Sequence, residues 1–160
     1  EYEWDFVAGF PIDYRKNAVH FRAGIYLNRT EIERTSNFST LFGIVYQHWE
    51  RKEIFIPGDL QDGEIDKKWQ MINFIPLALK FQGNSGIFLS YGYIGAGAAI
   101  IKEDRRIVRN FLFTEDSTTW ELVPTINSGI GVKIRMGQHY LITELTPTVN
   151  NVFLNIGFSI

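Results

Sequence analysis

The sequence contains no cysteine, so neither a disulfide framework nor a thiolate metal site can form. It has no run of about 18 consecutive apolar residues, which excludes a membrane-spanning helix. A surplus of one charge is missing too. Lys and Arg number 16 against 18 Asp and Glu, a formal net charge of -2. A nucleic-acid binder would need a basic stripe and a disordered acidic tail a block of like charge, so the near-balance argues against both. Sustained 3.6-residue apolar periodicity is lacking, which leaves little room for helices. The opening residues, Glu1-Tyr2-Glu3-Trp4, carry no basic or apolar leader. The expectation is a secreted chain from which a signal peptide has been removed.

Aromatic residues make up 15% of the 160, with 13 Phe, 7 Tyr and 4 Trp. That content suits a chain needing aromatic belts at two membrane interfaces. The length predicts one domain, 1–160, large enough to close a small barrel. The dominant pattern is two-residue alternation. Trp120, Leu122, Pro124, Ile126, Ser128, Ile130, Val132 and Ile134 alternate with polar, small or charged neighbours. Val19 to Leu27 and Val152 to Ile160 repeat the pattern. So does Trp69 to Phe81, with Trp69, Met71, Ile75, Leu77, Leu79 and Phe81 on one face.

Eight strands follow: Trp4 to Phe10, Val19 to Asn28, Phe38 to Trp49, Trp69 to Phe81, Ile87 to Ile101, Thr118 to Arg135, His139 to Thr146, and Asn151 to Ile160. Gly83-Asn84-Ser85-Gly86 and Met136-Gly137-Gln138 read as tight turns. Arg51 to Lys68 and Lys102 to Ser117 read as long polar loops. Alternating short and long connections with an even strand number predict an all-β fold, an eight-stranded antiparallel up-and-down transmembrane β-barrel.

A water-soluble barrel carrying an apolar ligand, like a lipocalin, shares the alternation but turns its apolar face inward. Strand length favours the membrane form, since strands of ten or more tilted residues match a bilayer. Trp4, Trp49, Trp69 and Trp120 fall at predicted strand ends and are expected to form the interfacial aromatic belt. The opposite face carries Arg22, Lys80, Glu121, Lys133 and Glu144, expected to pair as a polar network filling the lumen. Pro76, Pro124 and Pro147 interrupt predicted strands and are expected at bulges or strand ends.

Ile75-Pro76-Leu77-Ala78-Leu79-Lys80-Phe81 leads through a short turn to Tyr91-Gly92-Tyr93-Ile94-Gly95-Ala96-Gly97. With the closing strand Asn151 to Ile160, this resembles the outer-membrane β-barrel domain family of Bacteroidota, the PorT-like or porin-family small barrels. The resemblance runs from about Trp69 to Ile160. It implies a barrel in a bacterial outer membrane and no catalytic residues. Barrels of that kind usually end on an aromatic residue, whereas this chain ends on Ile160, with Phe158 two positions earlier.

Other chemistry is thinly represented. An outer-membrane lipid-modifying enzyme is the catalytic alternative, with His20, His48, His139 and the segment Asn127-Ser128-Gly129 as its candidate residues. His139 and Glu144 are five apart on one strand and therefore on opposite faces. Asp59, Asp62, Glu64 and Asp66 cluster around Gly58 and Gly63, but the spacing is not that of a Ca²⁺ loop. Gly92, Gly95 and Gly97 do not form a dinucleotide fingerprint. If the parity of Ile87, Leu89, Tyr91 and Tyr93 continues, Gly95, Gly97 and Ala99 face lipid as a smooth patch for partner docking. The expected function is a non-catalytic integral outer-membrane barrel, a structural or accessory subunit without cofactor or metal. Its partners would be outer-membrane lipid and another outer-membrane protein.

Overall fold

The computed structural model describes residues 2–12, 18–29, 38–55, 63–109, 113–148 and 151–160. Eight strands run through them: β1 (Tyr2–Pro11), β2 (Ala18–Arg29), β3 (Phe38–Phe55), β4 (Gly63–Ser85), β5 (Phe88–Arg109), β6 (Phe113–Met136), β7 (His139–Pro147) and β8 (Val152–Ser159). Each pairs antiparallel with its sequence neighbour, and β1 pairs with β8, so the sheet closes on itself as a barrel. Trp4 and Ile160 exchange backbone bonds of 2.9 and 3.0 Å, locking the seam.

The hairpin turns obey local sterics. Gly86 and Gly137 hold φ of 71° and 68°, the positive values that two-residue hairpin loops require. The turn after β4 therefore sits at Gly86-Ile87, at the end of the segment read as a turn from sequence.

The larger departure concerns strand length. β4, β5 and β6 span 23, 22 and 24 residues, whereas β1, β7 and β8 span 10, 9 and 8. Much of the two segments read as long loops, Arg51 to Lys68 and Lys102 to Ser117, is strand. β3 continues to Phe55, β4 starts at Gly63, β5 continues to Arg109 and β6 starts at Phe113. Alternating Thr, Ile, Val and charged residues satisfy the period of two without a core, since both faces meet water or headgroups. β3 to β6 thus rise past the barrel rim as a four-stranded extension.

Pro76 sits at a bulge. The register shifts between Phe74 and Leu77, Pro76 and Leu77 both point outward, and Ile75 and Ala78 are buried. The bulge divides the face expected for β4: Ile75 turns inward while Leu77, Leu79 and Phe81 turn outward. Pro147 ends β7 as expected. Pro124 lies at neither a bulge nor a strand end. It pairs with Ala98 on one side and has no strand on the other among the described residues.

Gly95, Gly97 and Ala99 do not face lipid. Tyr91 and Tyr93 are buried, so the parity runs opposite to the expectation and carries these three residues to the inner face, Ala99 at 0% exposure. A Cβ on Gly97 would run into the Phe74 carbonyl oxygen and crowd Asn127 and Thr125, the bulge having brought β4 close. Gly97→Val is expected to cost about 1–3 kcal/mol by overpacking. Gly92→Ala, whose Cβ would meet its nearest atoms at 3.6 Å, should be near neutral. Urea midpoints in detergent check the pair, and equal midpoints would contradict this packing.

Candidate functional site: the lumen, the wall and the unpaired edge

Inside the barrel, polar side chains occupy the axis. The Lys133 ammonium, 1% exposed, donates to Asp5 Oδ1 (2.6 Å), Glu3 Oε2 (2.8 Å) and Ser159 Oγ (3.4 Å). Asn28 donates to Asp5 Oδ2 (2.6 Å) and accepts from Lys80 Nζ (2.9 Å), whose ammonium lies 3.8 Å from Asp5. Higher in the lumen Glu144 accepts from Tyr91 (2.8 Å), Thr146 (2.8 Å) and Asn155 (3.0 Å), with the Arg22 guanidinium 3.7 Å away. Arg22 in turn donates to the Tyr26 hydroxyl at 2.7 Å. Three cations, Arg22, Lys80 and Lys133, therefore face three carboxylates, Glu3, Asp5 and Glu144. Balanced charge and dense hydrogen bonding are what make ion burial tolerable.

Glu121 is not part of this network. It is exposed, on the part of β6 that rises beyond β7 and β8, so no opposing wall buries it. Asp5, Asn28, Tyr26, Tyr91, Tyr93, Thr146, Asn155 and Ser159 belong to the interior and were not singled out from sequence. For the tyrosines a signal existed. Tyr26, Tyr91 and Tyr93 lie directly opposite Gly43, Gly131 and Gly129 in register, and a Cβ on any of those glycines would strike the ring. An aromatic paired across strands with glycine marks a ring that needs space inside a narrow barrel.

The outer wall is apolar. Leu122, Ile126, Ile130, Ile156 and Phe158 are 53–82% exposed, as are other aliphatic and aromatic residues around the circumference. The soluble carrier alternative needs the reverse arrangement. On β6 the band runs from Leu122 to Ile134, about 30 Å along the barrel axis at a rise of about 3.3 Å per residue and a tilt near 40°. Trp120, 68% exposed, bounds it above, with Lys102 over its ring at 5.9 Å. Trp4 bounds it at the other end, outward-facing beside the terminal seam. Trp49 and Trp69 are not in this belt. They stand opposite each other on the inner face of the extension, stacked at 5.8 Å, and Trp69 donates to Glu103 at 2.9 Å.

Above Trp120 the outer face turns ionic. Glu50 pairs with Lys68 (3.4 Å) and His48 (3.1 Å), and Lys102 with Asp104 (2.7 Å). Partial burial pushes the Glu50 carboxyl up, but hydrogen bonds and positive charge from His48 and Lys68 outweigh it and hold the group below its ordinary value. Asp104 is likewise lowered by hydrogen bonds from Lys102 and Thr118. These pairs neutralise one another in exposed positions and contribute little to stability.

The groups considered for catalysis do not converge. Ser128 faces the outer wall beside Ile94, His48 sits on the extension, and His139 lies at the opposite end beside the β6–β7 turn. The His20 side chain, and Asp59 and Asp62 with Gly58, lie outside the described residues. Glu64 is bonded to Lys52, and among the described residues no group of three His, Cys, Asp or Glu is placed to hold a metal.

β6 pairs with β7 from Ile130 to Met136, and β7 runs on to Pro147, opposite Ser128; above that, Phe113 to Asn127 has β5 on one side and no strand on the other among the described residues. β7 ends at Pro147, and bonds between Thr148 and Asn151 turn the chain directly into β8. The wall is thus cut away beside the upper part of β6. At the foot of the cut an apolar groove of about 490 Å³ is lined by Ile94, Ser128, Ile130, Leu145, Pro147 and Val152, among others.

No protein-family model matches the chain, and no curated protein matches it in sequence. Among solved structures it is similar to Ail, the attachment invasion locus protein of Yersinia pestis. In complex with the heparin analogue sucrose octasulfate, Ail aligns with a TM-score of 0.45 and 15% identity, over 99% of this chain and 95% of that one. A second Ail structure aligns with a TM-score of 0.38 at the same identity and coverage. Likeness at this level adds nothing to the reading of the site.

Proposed function

We propose that this chain is a non-catalytic integral barrel of a bacterial outer membrane, serving as a structural or accessory subunit of a larger outer-membrane assembly. One observation carries the membrane placement: large apolar side chains are exposed all round the outer wall while the ions of Arg22, Lys80, Lys133, Asp5 and Glu144 are buried inside, the arrangement stable in lipid and unstable in water. The likeness of Ile75 to Phe81 and Asn151 to Ile160 to the PorT-like barrels of Bacteroidota supports the same placement. The accessory role is supported by what the barrel offers. Its lumen is filled by a charge-balanced polar network, its described histidine side chains, His48 and His139, lie toward opposite ends, and what remains is surface: the extension of β3 to β6 and the incomplete wall beside β6.

The test is gel migration of membrane fractions solubilised in detergent, boiled and unboiled. Closed membrane barrels resist detergent until heated, so the protein is expected in the outer-membrane fraction with a band that shifts on boiling. Recovery in the soluble fraction without a shift would overturn the membrane placement.

A further inference from the structure

The main-chain groups along the unpaired part of β6 can be assigned residue by residue. The Arg135 N–H donates to the Ile87 carbonyl, so odd-numbered residues of β6 address β5. No register shift intervenes up to Phe113, so the even-numbered residues address the other side throughout. Below Ile130 that side is β7. Above it, beyond the end of β7 at Pro147, the N–H groups of Ile126 and Leu122, and the carbonyls of these residues and Pro124, have no strand to meet among the described residues. Pro124 fits because its missing N–H is one that the β5 ladder never uses.

These groups lie below Trp120, at the depth of the apolar band. Hydrocarbon offers them no partner, and closure of the hydrogen-bond ladder is the condition for a barrel in lipid. Acyl chains can fill the groove below the cut but cannot satisfy donors and acceptors. Higher on the same strand Glu115 and Glu121 are exposed and without an ion-pair partner among the described residues, and β6 carries no Lys or Arg between Phe113 and Val132.

We infer that the unpaired edge of β6, from Glu115 to Ile126, is a strand-addition site for an extended segment of a partner protein. That segment is apolar on its lipid side beside Leu122 and Ile126, and basic opposite Glu115 and Glu121. Main-chain bonds supply the attachment and the side-chain pattern the selectivity. The inference rests on the membrane placement proposed above and names the surface through which the accessory role is exercised. A second copy of this chain does not serve. Copies inserted with the same orientation would bring two β6 edges together running parallel with their lipid faces reversed.

The test is amide hydrogen exchange of the stretch 122–126, measured in native outer membranes and in nanodiscs that contain the purified protein and extracted lipids only. Exchange at Leu122 and Ile126 is expected to be fast in nanodiscs and at least about tenfold slower in native membranes. Ile126→Pro removes a donor that the barrel's own ladder does not use, so the boiling shift should persist while protection in native membranes is lost. Equal rates in the two preparations would overturn strand addition, and so would slow exchange in nanodiscs, where lipid alone is present. Loss of the boiling shift in the unaltered protein is a separate result, overturning the membrane placement instead.

Discussion

Replacing Lys133 with methionine is expected to destabilise the barrel by about 3–5 kcal/mol, the cost of removing one partner from a buried ion pair. Lys133 holds Asp5 at 2.6 Å and Glu3 at 2.8 Å, and its ammonium is 1% exposed. Methionine preserves most of the volume and removes the charge. Asp5 then keeps only Asn28 and the more distant Lys80, in a lumen left with one carboxylate in excess. A second variant separates charge from packing. Asp5→Asn added to Lys133→Met restores the balance and should recover part of the loss, a coupling that a double-mutant cycle reads directly. Lys102→Met is the control: Lys102 and Asp104 pair at 2.7 Å, but each is about a third exposed, and such pairs contribute roughly 0–1 kcal/mol. Urea titrations of refolding into lipid vesicles, with Asp5→Asn alone closing the cycle, give the values for the unaltered protein and all four variants. A Lys133→Met loss no larger than the control would mean that the network is ornamental.

Ile156→Lys is expected to cost about 2–4 kcal/mol in a bilayer, the penalty for lysine on the lipid face near the membrane midplane. Ile156 is 58% exposed, lies between Leu154 and Phe158 on the outer face of β8, and has Ala8 and Thr143 as cross-strand neighbours. In water the same change would fall within about 0.5 kcal/mol, as exposed substitutions usually do. The sign of the environment is therefore read from one side chain. Thr118→Lys, also outward but above Trp120, should be neutral in vesicles. If both lysines are neutral, the apolar wall does not face lipid.

Much of this architecture was legible because alternation is written locally. The runs Val152 to Ile160 and Trp120 to Ile134 place every other residue outside, and the structure keeps that parity. Arg22, Lys80, Lys133 and Glu144 stood on the opposite face of their strands and lie in the lumen. Parity failed where it depended on something not local. The bulge at Pro76 reverses β4 midway, and no count along Trp69 to Phe81 can locate the reversal. Tyr91 and Tyr93 are amphipathic enough to suit either face. Their placement is decided by Gly129 and Gly131 on another strand, and misjudging it sent Gly95, Gly97 and Ala99 to the wrong side. Strand ends were harder still. The polar residues of Arg51 to Lys68 and Lys102 to Ser117 look like loops because a sheet wetted on both faces needs no apolar period. Trp49, Trp69 and Glu121 were misplaced for that reason, since each belongs to the extension and not to the membrane rim or the lumen. The free edge of β6 is a difference between lengths of strands far apart in sequence, and no single segment records it.

The inequality of the walls also acts on the lipid. The apolar face of β6 is about 30 Å tall, while that of β8, from Val152 to Ile160, is about 20 Å by the same rise and tilt. A rigid cylinder cannot tilt to match two thicknesses at once. Where no partner strand covers the free edge of β6, the surrounding bilayer must therefore thin beside β7 and β8 and admit water to that edge, while keeping its ordinary depth beside β4 and β5, at a cost of fractions of a kcal/mol per Å of mismatch. The protein then sits in a standing thickness gradient, its short side a sector where the leaflet is already compressed. Barrels whose own apolar belts are short will find their least costly neighbour position there, so lateral sorting in the membrane follows from strand length before any specific contact is made.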